Sequence, residues 1–393
     1  MKKRILIFSL VYYPRYIGGA EVAMKEITDR VPSEEFEFDM ITMRKHARAF
    51  ERVGNINVYR VGGRWFGTGT QSSKIFPLSK YLYIFLAFGK ALKLHSRNHY
   101  DLVWSLMANY AGFSALFFKM THPKVPFLLT LQEGDPIEHI RKRVGIWNPL
   151  FKKIFARADH IQAISTFLKE WAWQEGAKCD VDVVPNGVDL QKFEIRNSKF
   201  EKNEEIRKKL GIKKSDVVLI TASRLVEKNG VGDIIESMRY LGEDVKLLIA
   251  GAGPLEKNLT LHVTRYTLQN RVFFLGFVPH SDLPDFLHAG DIFVRPSLSE
   301  GMGNSFIEAM AAGLPVIATP VGGIPDFLSA GETGLFCNVN DPKSIAEKVT
   351  YLIEHPGARD LMAKNARKMV EEKYDWNFIA EKVKKIFETM TAT

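Results

Sequence analysis

The chain has 393 residues, of which 46% are hydrophobic and 25% charged, too many for one ordinary core and enough for two globular domains of roughly 190 residues each. Only two cysteines occur, Cys179 and Cys337, which excludes a disulfide framework and a thiolate metal cluster and makes a reducing cytosol the default compartment. Residues 1–189 hold 27 Lys or Arg against 18 Asp or Glu, out of 54 and 45 in the whole chain, so the entire +9 excess lies in the first half, either as a plain solvated face or as attraction for an anionic surface or substrate.

Met1-Lys2-Lys3-Arg4 opens the chain with charge, and Ile5 to Tyr13 then reads as a strand, because no small-residue cleavage site follows it. A helix is predicted from about Ala20 to Val31. The longest apolar stretch, Tyr81 to Leu94, is interrupted by Gly89, Lys90 and Lys93 and falls short of the roughly 20 apolar residues that span a bilayer. Further buried strands are predicted at Leu102 to Leu106, Phe127 to Leu131, Ile161 to Ile164 and Val181 to Val184. Continuous apolar strands separated by helices imply a parallel sheet covered on both faces. The turn Pro185-Asn-Gly-Val-Asp189 closes this series. The charged stretch Glu194 to Lys209 is the predicted linker. Strands then resume at Val217 to Ala222, Val245 to Ala250, Val272 to Leu275, Ile292 to Val294 and Val316 to Ala318, and helices follow from Asp341, with a break near Trp376. The expected domains are residues 1–190 and 205–375, with 376–393 a terminal helix returning to the first domain. In such sheets ligands bind beyond the carboxyl ends of the strands, and two such domains are expected to face one another across a cleft.

The segments richest in chemistry follow predicted strands. In Arg295-Pro-Ser-Leu-Ser-Glu-Gly-Met-Gly-Asn-Ser-Phe-Ile-Glu308, a loop with Gly301, Met302 and Gly303 leads into a helix capped by Asn304 or Ser305. Free amides at such a helix start bind phosphate. Glu300 and Glu308 flank this turn; beside a phosphate site their carboxylates suit hydroxyls of a ribose or hexose. A surface Glu and a Glu favouring the helix dipole are the plain alternative. In Ala222-Ser-Arg-Leu-Val-Glu-Lys-Asn-Gly230, Arg224 can fork onto two phosphate oxygens and Lys228 adds a point charge. Fixed cations there would favour departure of a diphosphate; a basic loop on a solvated helix end is the alternative. Gly18 and Gly19, within Tyr13-Pro-Arg-Tyr-Ile-Gly-Gly-Ala-Glu21, allow close approach of a ligand to backbone. Gly251, in Ile249-Ala-Gly-Ala-Gly-Pro254, does the same or serves only as a tight turn. Asp180-Val-Asp182 reads as a surface turn, and His139 and His280 stand isolated, so no metal is expected. Arg141 to Phe155 is basic and aromatic: either an ordinary amphipathic helix on the sheet or a stretch resting on an anionic membrane.

Together these residues resemble the retaining glycosyltransferases of family 4, an α/β class with the GT-B fold of two Rossmann-like parallel-sheet domains. The features that carry the resemblance are Glu300 and Glu308 at the E-x7-E spacing, Ser223-Arg224-Leu225 with Lys228, and Gly18-Gly19-Ala20-Glu21. Ala158-Asp159, Ala163-Ile164-Ser165, Pro185 to Asp189, Gly276-Phe-Val-Pro279, Ala312 to Val316 and Gly322 to Pro325 also match. The resemblance implies that Arg224 and Lys228 bind the donor diphosphate, that Glu308 binds ribose hydroxyls, and that Glu300 holds the transferred sugar near its anomeric carbon. It further implies that Gly303, Asn304 and Ser305 contact sugar or phosphate and that Phe277 and Val278 line the base pocket. It implies a UDP- or GDP-sugar co-substrate, no cofactor or metal, a glycan, lipid-linked or small-molecule acceptor, and no nucleic-acid partner. The expected place is the cytoplasm, with peripheral contact at the inner face of the cell membrane one option.

The chain departs from the family pattern twice. Gln132, followed by Glu133, stands where many members have a histidine facing the acceptor or transferred sugar, and Lys228 falls one residue earlier than the family lysine. A non-catalytic nucleotide-sugar-binding subunit is therefore the alternative reading, with sugar-nucleotide epimerisation or glycan phosphorolysis also compatible with the fold.

Overall fold

The computed structural model describes residues 2–14, 18–44, 47–63, 75–194 and 197–392. Arg15, Tyr16 and Ile17, within the first glycine segment, and Ile195 and Arg196, within the expected linker, lie outside them. The elements run β1 (Lys3–Phe8), α1 (Gly19–Arg30), β2 (Phe36–Met43), β3 (Phe50–Val53), β4 (Ile56–Val61), α2 (Ile75–Asn98), β5 (Leu102–Leu106), α3 (Ala111–Thr121), β6 (Phe127–Leu131), α4 (Ile137–Val144), α5 (Asn148–Arg157), β7 (His160–Ala163), α6 (Thr166–Gln174) and β8 (Val181–Val183). They continue with α7 (Asn197–Lys209), β9 (Val217–Ala222), α8 (Val231–Ser237), β10 (Val245–Ala250), α9 (Glu256–Arg265), β11 (Val272–Gly276), α10 (Leu283–His288), β12 (Ile292–Arg295), α11 (Asn304–Ala311), β13 (Val316–Ala318), β14 (Leu335–Phe336), α12 (Pro342–Glu354), α13 (Pro356–Lys373) and α14 (Trp376–Thr391).

Two compact units result, Met1–Asn186 with Trp376–Thr393, and Gly187–Asp375. The first holds an eight-stranded sheet ordered β3-β4-β2-β1-β5-β6-β7-β8. It is parallel apart from the edge hairpin of β3 and β4. Side chains alternate faces along a strand: Ile5 and Ile7 of β1 join α1 and α14 in one buried cluster through Ala23, Ile27, Ile379, Val383 and Phe387. The helices α2 and α3 cover the other face, and α5 packs against α3. There Tyr83 donates its hydroxyl to the carbonyls of Ser9 and Ile41 at 2.9 and 3.1 Å, and Ser114 donates to Ile84 at 3.0 Å. The second unit holds a six-stranded parallel sheet ordered β11-β10-β9-β12-β13-β14.

In each sheet the chain leaves the first strand to one side and later returns to its other side. The switch points therefore fall between β1 and β5 and between β9 and β12, where open α/β sheets bind ligands beyond the carboxyl ends.

Several expected features take a different form. The charged stretch expected as a linker is helical over Asn197–Lys209, and Arg207 anchors it by donating to the Ala289 carbonyl at 2.9 Å and the Asp291 carboxylate at 2.8 Å. The stretch Arg141 to Phe155 is two helices, with Gly145 at φ +53 between them. Its apolar residues Val144, Phe151, Ile154 and Phe155 are buried while Lys142, Arg143, Lys152 and Lys153 are exposed, so it packs as an ordinary amphipathic element. Among the described residues no helix is long and apolar enough to cross a membrane.

Candidate functional site

In the second unit the loops that follow β9, β10, β12 and β13 are stitched together at backbone level. Gly251, after β10, lies so close to the β9 loop that a Cβ there would sit 1.8 Å from the Ser223 carbonyl oxygen; Gly322, after β13, approaches the Glu300 carbonyl so that its Cβ would sit 1.7 Å away. Both positions have φ in the region that favours glycine, +154 and +57. The Leu298 amide donates to the Lys228 carbonyl at 2.7 Å and the Gly251 amide to the Gly276 carbonyl at 2.8 Å. Arg224, Lys228, Glu300 and the start of α11 therefore belong to one cluster of loops at the β9/β12 switch point.

Arg295 holds the cluster from beneath. This buried arginine at the end of β12 donates to Ser305 Oγ at 2.8 Å and to Asn229 Oδ1 at 3.0 Å, and it pairs with the Glu300 carboxylate. Its guanidinium carbon lies 5.1 Å from the Phe306 ring centre. Asn229 in turn donates to the Arg224 carbonyl at 2.7 Å. One guanidinium thus fixes the Glu300 side chain, the first turn of α11 and the loop of Arg224. A buried charge needs such pairing, here made through both terminal nitrogens, because an unpaired one carries a large desolvation penalty. Glu300 also accepts the Gly301 amide at 3.2 Å. Arg224 is exposed, so a cation stands in water above a rigid floor. Lys228 and Asn304 are half-buried, Gly301 and Met302 are buried, and α11 starts after Gly303 at φ +88. Among the described residues Arg295 Nε and the hydroxyls of Thr221, Ser223 and Ser297 are buried at this same point without a partner.

Glu308 is buried one turn into α11, and His280, from the loop after β11, sits with Nε2 2.6 Å from its Oε1. Sequence spacing had set His280 aside as isolated; its carboxylate partner is 28 positions away in the chain and only the fold brings them together. Phe277 is exposed and Val278 half-buried in the same loop, so Phe277 has a free face on which a planar ring can stack. Arg295 and Asn229 carry no role in the sequence reading, and His280 carries none beyond its dismissal as a metal ligand. The available signal was the arginine ending an apolar strand, where a charge is tolerated only with partners.

The first unit builds its switch point differently. Glu133, just after β6, is buried, and its two oxygens accept the Ala108 amide at 2.7 Å and the Gln132 amide at 2.9 Å. Burial pushes its carboxyl up to about 7, against the pull of those amides. Gln132 forms a reciprocal amide pair with Asn186, at 3.1 and 3.2 Å. Both residues expected on the acceptor side are thereby engaged within the protein. Ala108 belongs to the loop after β5, where Met107 and Tyr110 hold positive φ of +69 and +43, costly conformations for bulky residues that concentrate at functional sites. Gly18 and Gly19 lie at the start of α1, and the Gly18 amide donates to the buried Glu21 carboxylate at 2.9 Å. Burial raises the Glu21 carboxyl above its usual range. Asp182 faces His160 Nε2 at 3.1 Å. No group of three or more His, Cys, Asp or Glu among the described residues is placed to hold a metal.

Residues 202–369 match the family model described as glycosyl transferases group 1, and residues 17–192 match that of glycosyltransferase family 4. Together the two matches support a group 1 glycosyltransferase family for the chain. It is 25% identical to an uncharacterized glycosyltransferase of Methanocaldococcus jannaschii, covering 98% of this chain and 97% of that one. It is 29% identical to the putative teichuronic acid biosynthesis glycosyltransferase TuaC of Bacillus subtilis, over 75% and 72%. In fold it is similar to sucrose-phosphate synthase from Thermosynechococcus elongatus, with TM-score 0.84 and 19% identity over the full length of both. It is also similar to Anabaena HepE in complex with UDP-glucose, with TM-score 0.78 and 20% identity over 98% and 99%. The fold is thus that of the GT-B glycosyltransferases, two parallel-sheet α/β domains in one chain.

Proposed function

We propose that the protein transfers a hexose from a UDP- or GDP-sugar to a glycan, lipid-linked or small-molecule acceptor, with retention of anomeric configuration and without a metal. The observation that carries this reading is the cluster at the β9/β12 switch point, in which Arg295 ties the Glu300 carboxylate to the loop of exposed Arg224. In this reading Arg224 and Lys228 take the diphosphate, and the backbone of Gly301, Met302 and Gly303 with the α11 amides of Asn304 and Ser305 supports it. Glu308 accepts the ribose hydroxyls with its free capacity, Phe277 and Val278 receive the base, and Glu300 accepts hydroxyls of the transferred sugar. The bond from the anomeric carbon to the phosphate oxygen breaks as the bond to the acceptor oxygen forms, and the acceptor proton passes to the departing phosphate. Charge grows on that phosphate in the transition state, so cations fixed in advance lower the barrier at no cost in reorganisation. The relative named for teichuronic acid biosynthesis supports a glycan acceptor, and the similar fold solved with UDP-glucose supports a UDP-sugar donor.

The test is a thermal-shift screen against UDP-, GDP- and ADP-sugars, followed by assay of nucleoside diphosphate release and product linkage. A donor that binds only the folded protein raises its melting temperature. Arg224→Ala should cut turnover by about 10²–10³-fold while leaving the melting temperature of the free protein unchanged, since the side chain is exposed. Absence of binding and release with every donor would overturn the reading, and binding without turnover across an acceptor screen would favour a non-catalytic subunit.

A further inference from the structure

In the first unit, helix α2 leaves an apolar ridge uncovered. Leu78, Leu82, Phe85 and Leu86 are 59%, 39%, 52% and 42% exposed. Their spacing of four, seven and eight positions places them on one face of a helix. The neighbouring α3 extends the ridge: Met120 is 55% exposed, and the Phe117 ring lies 6.1 Å from Phe85 in a stacked pair. The opposite side of the same helix is fixed to the sheet through Tyr83. The ridge is therefore part of a rigid layer rather than a loosely packed end. Scattered exposed leucines need no explanation, but a continuous apolar stripe on a soluble surface marks something that covers it.

The charge around the ridge says what that is. The helices α2, α3, α4 and α5, with the turn joining the last two, contain eleven Lys or Arg and a single carboxylate, Glu138. Lys93, Lys142, Arg143, Lys152, Lys153 and Arg157 among them are exposed. The turn between α4 and α5 adds Ile146, 92% exposed between these cations. A second protein surface would need a matching concentration of acid, and the rest of the chain is electrically balanced. An acidic lipid leaflet meets the demand directly, with acyl chains for the ridge and headgroups for the lysines.

We propose that the α2–α3 face docks on an anionic bilayer, with Leu78, Leu82, Phe85, Leu86 and Met120 entering the acyl boundary and the lysines and arginines of α2, α4 and α5 contacting acidic headgroups. Membrane contact is one of two sequence readings of Arg141–Phe155; in this docking that stretch takes the headgroup contacts, because Val144, Phe151, Ile154 and Phe155 are buried. The inference does not depend on the donor reading, since it concerns binding and not turnover.

The test is flotation of the full chain with vesicles of pure phosphatidylcholine and of phosphatidylcholine with phosphatidylglycerol, at low and high salt. Wild type should float with the anionic vesicles, less so at high salt, and not with the neutral ones. Leu82→Asp with Phe85→Asp should reduce the partition coefficient by at least about tenfold. Lys152→Gln with Lys153→Gln should reduce it by about fivefold per charge removed, with unfolding transitions kept near wild type in both variants. Equal flotation of wild type and the Leu82/Phe85 variant would overturn the proposal. So would a stable dimer in light scattering that the same variant dissolves, because the ridge would then face a second copy. Loss of vesicle binding beside intact donor binding would support the proposal and leave the donor reading untouched.

Discussion

The two switch points hold their loops by opposite means. At the second sheet a buried guanidinium, Arg295, gathers a carboxylate, a hydroxyl and an amide side chain from separate segments. At the first sheet a buried carboxylate, Glu133, gathers two backbone amides, and two bulky residues take strained conformations around it. An arginine stays charged at any ordinary pH, and this one fixes anionic groups beside it through its two terminal nitrogens, which suits a floor under a phosphate-bearing ligand. A carboxyl whose neutral form is favoured by burial sits on the edge of titration, so the loops it braces respond to pH. The same fold thus offers one end with permanent charge and one with conditional charge.

Removing the cation should break the second switch point outright. Arg295→Ala leaves Glu300 buried without a counter-charge and should cost about 3–5 kcal/mol in denaturant unfolding. Combining Arg295→Met with Glu300→Gln should recover most of that loss, because two neutral groups replace a broken ion pair. A single variant that unfolds like wild type would show that Glu300 needs no counter-charge, and the contrast between the two ends would disappear.

Much of this organisation is legible in the sequence. The strands Leu102–Leu106, Phe127–Leu131, Val217–Ala222, Val245–Ala250 and Val316–Ala318 fall where nearly continuous apolar runs place them, since a strand buried on both faces carries few polar residues to blur its limits. β2 escapes the same reading because Glu37 and Asp39 interrupt it. Asp39 is tolerated there only through Tyr100, Asn57 and Asn98, partners far away in sequence. The helix over Asn197–Lys209 was hidden by its charge, which Asp291 and the Ala289 carbonyl absorb in part. At the candidate site the loop residues stand out as glycines, glutamates and cations between strand and helix. Arg295, Asn229 and His280 do not, because each acts through a contact made by folding.

The carboxyl of the first switch point gives a second, smaller effect with a defined sign. Glu133 is raised from 4.5 to about 7 in the folded protein. Between those values the unfolded chain has released the proton that the folded chain keeps, so the stability this carboxyl contributes is fully present below pH 4.5 and is lost as pH rises to about 7. The full change amounts to roughly 3 kcal/mol. Glu133→Gln lacks this titration, so the stability difference between wild type and variant, followed by denaturant unfolding across pH, should shift against wild type by that amount as pH rises. A difference that stays flat, or that moves in favour of wild type, would mean that the Ala108 and Gln132 amides hold the ionised form, and both switch points would then carry permanent charge.

The smallest effect expected separates two uses of His280. Its Nε2 lies 2.6 Å from Glu308 Oε1, so the imidazole either positions the carboxylate for ribose or competes with ribose for it. One carboxylate oxygen offers two lone pairs, which leaves room for a hydroxyl beside the imidazole, and a carboxylate already held in one rotamer loses less entropy on binding. His280→Ala should therefore weaken nucleotide binding by about three- to tenfold, near 1 kcal/mol, with the melting temperature of the free protein nearly unchanged because the imidazole is partly exposed. His280→Gln, which retains an N–H donor, should restore the affinity. Tighter binding by the alanine variant in calorimetry would identify His280 as a competitor that the ligand must displace, and Glu308 would then be a group held in reserve rather than one set in place.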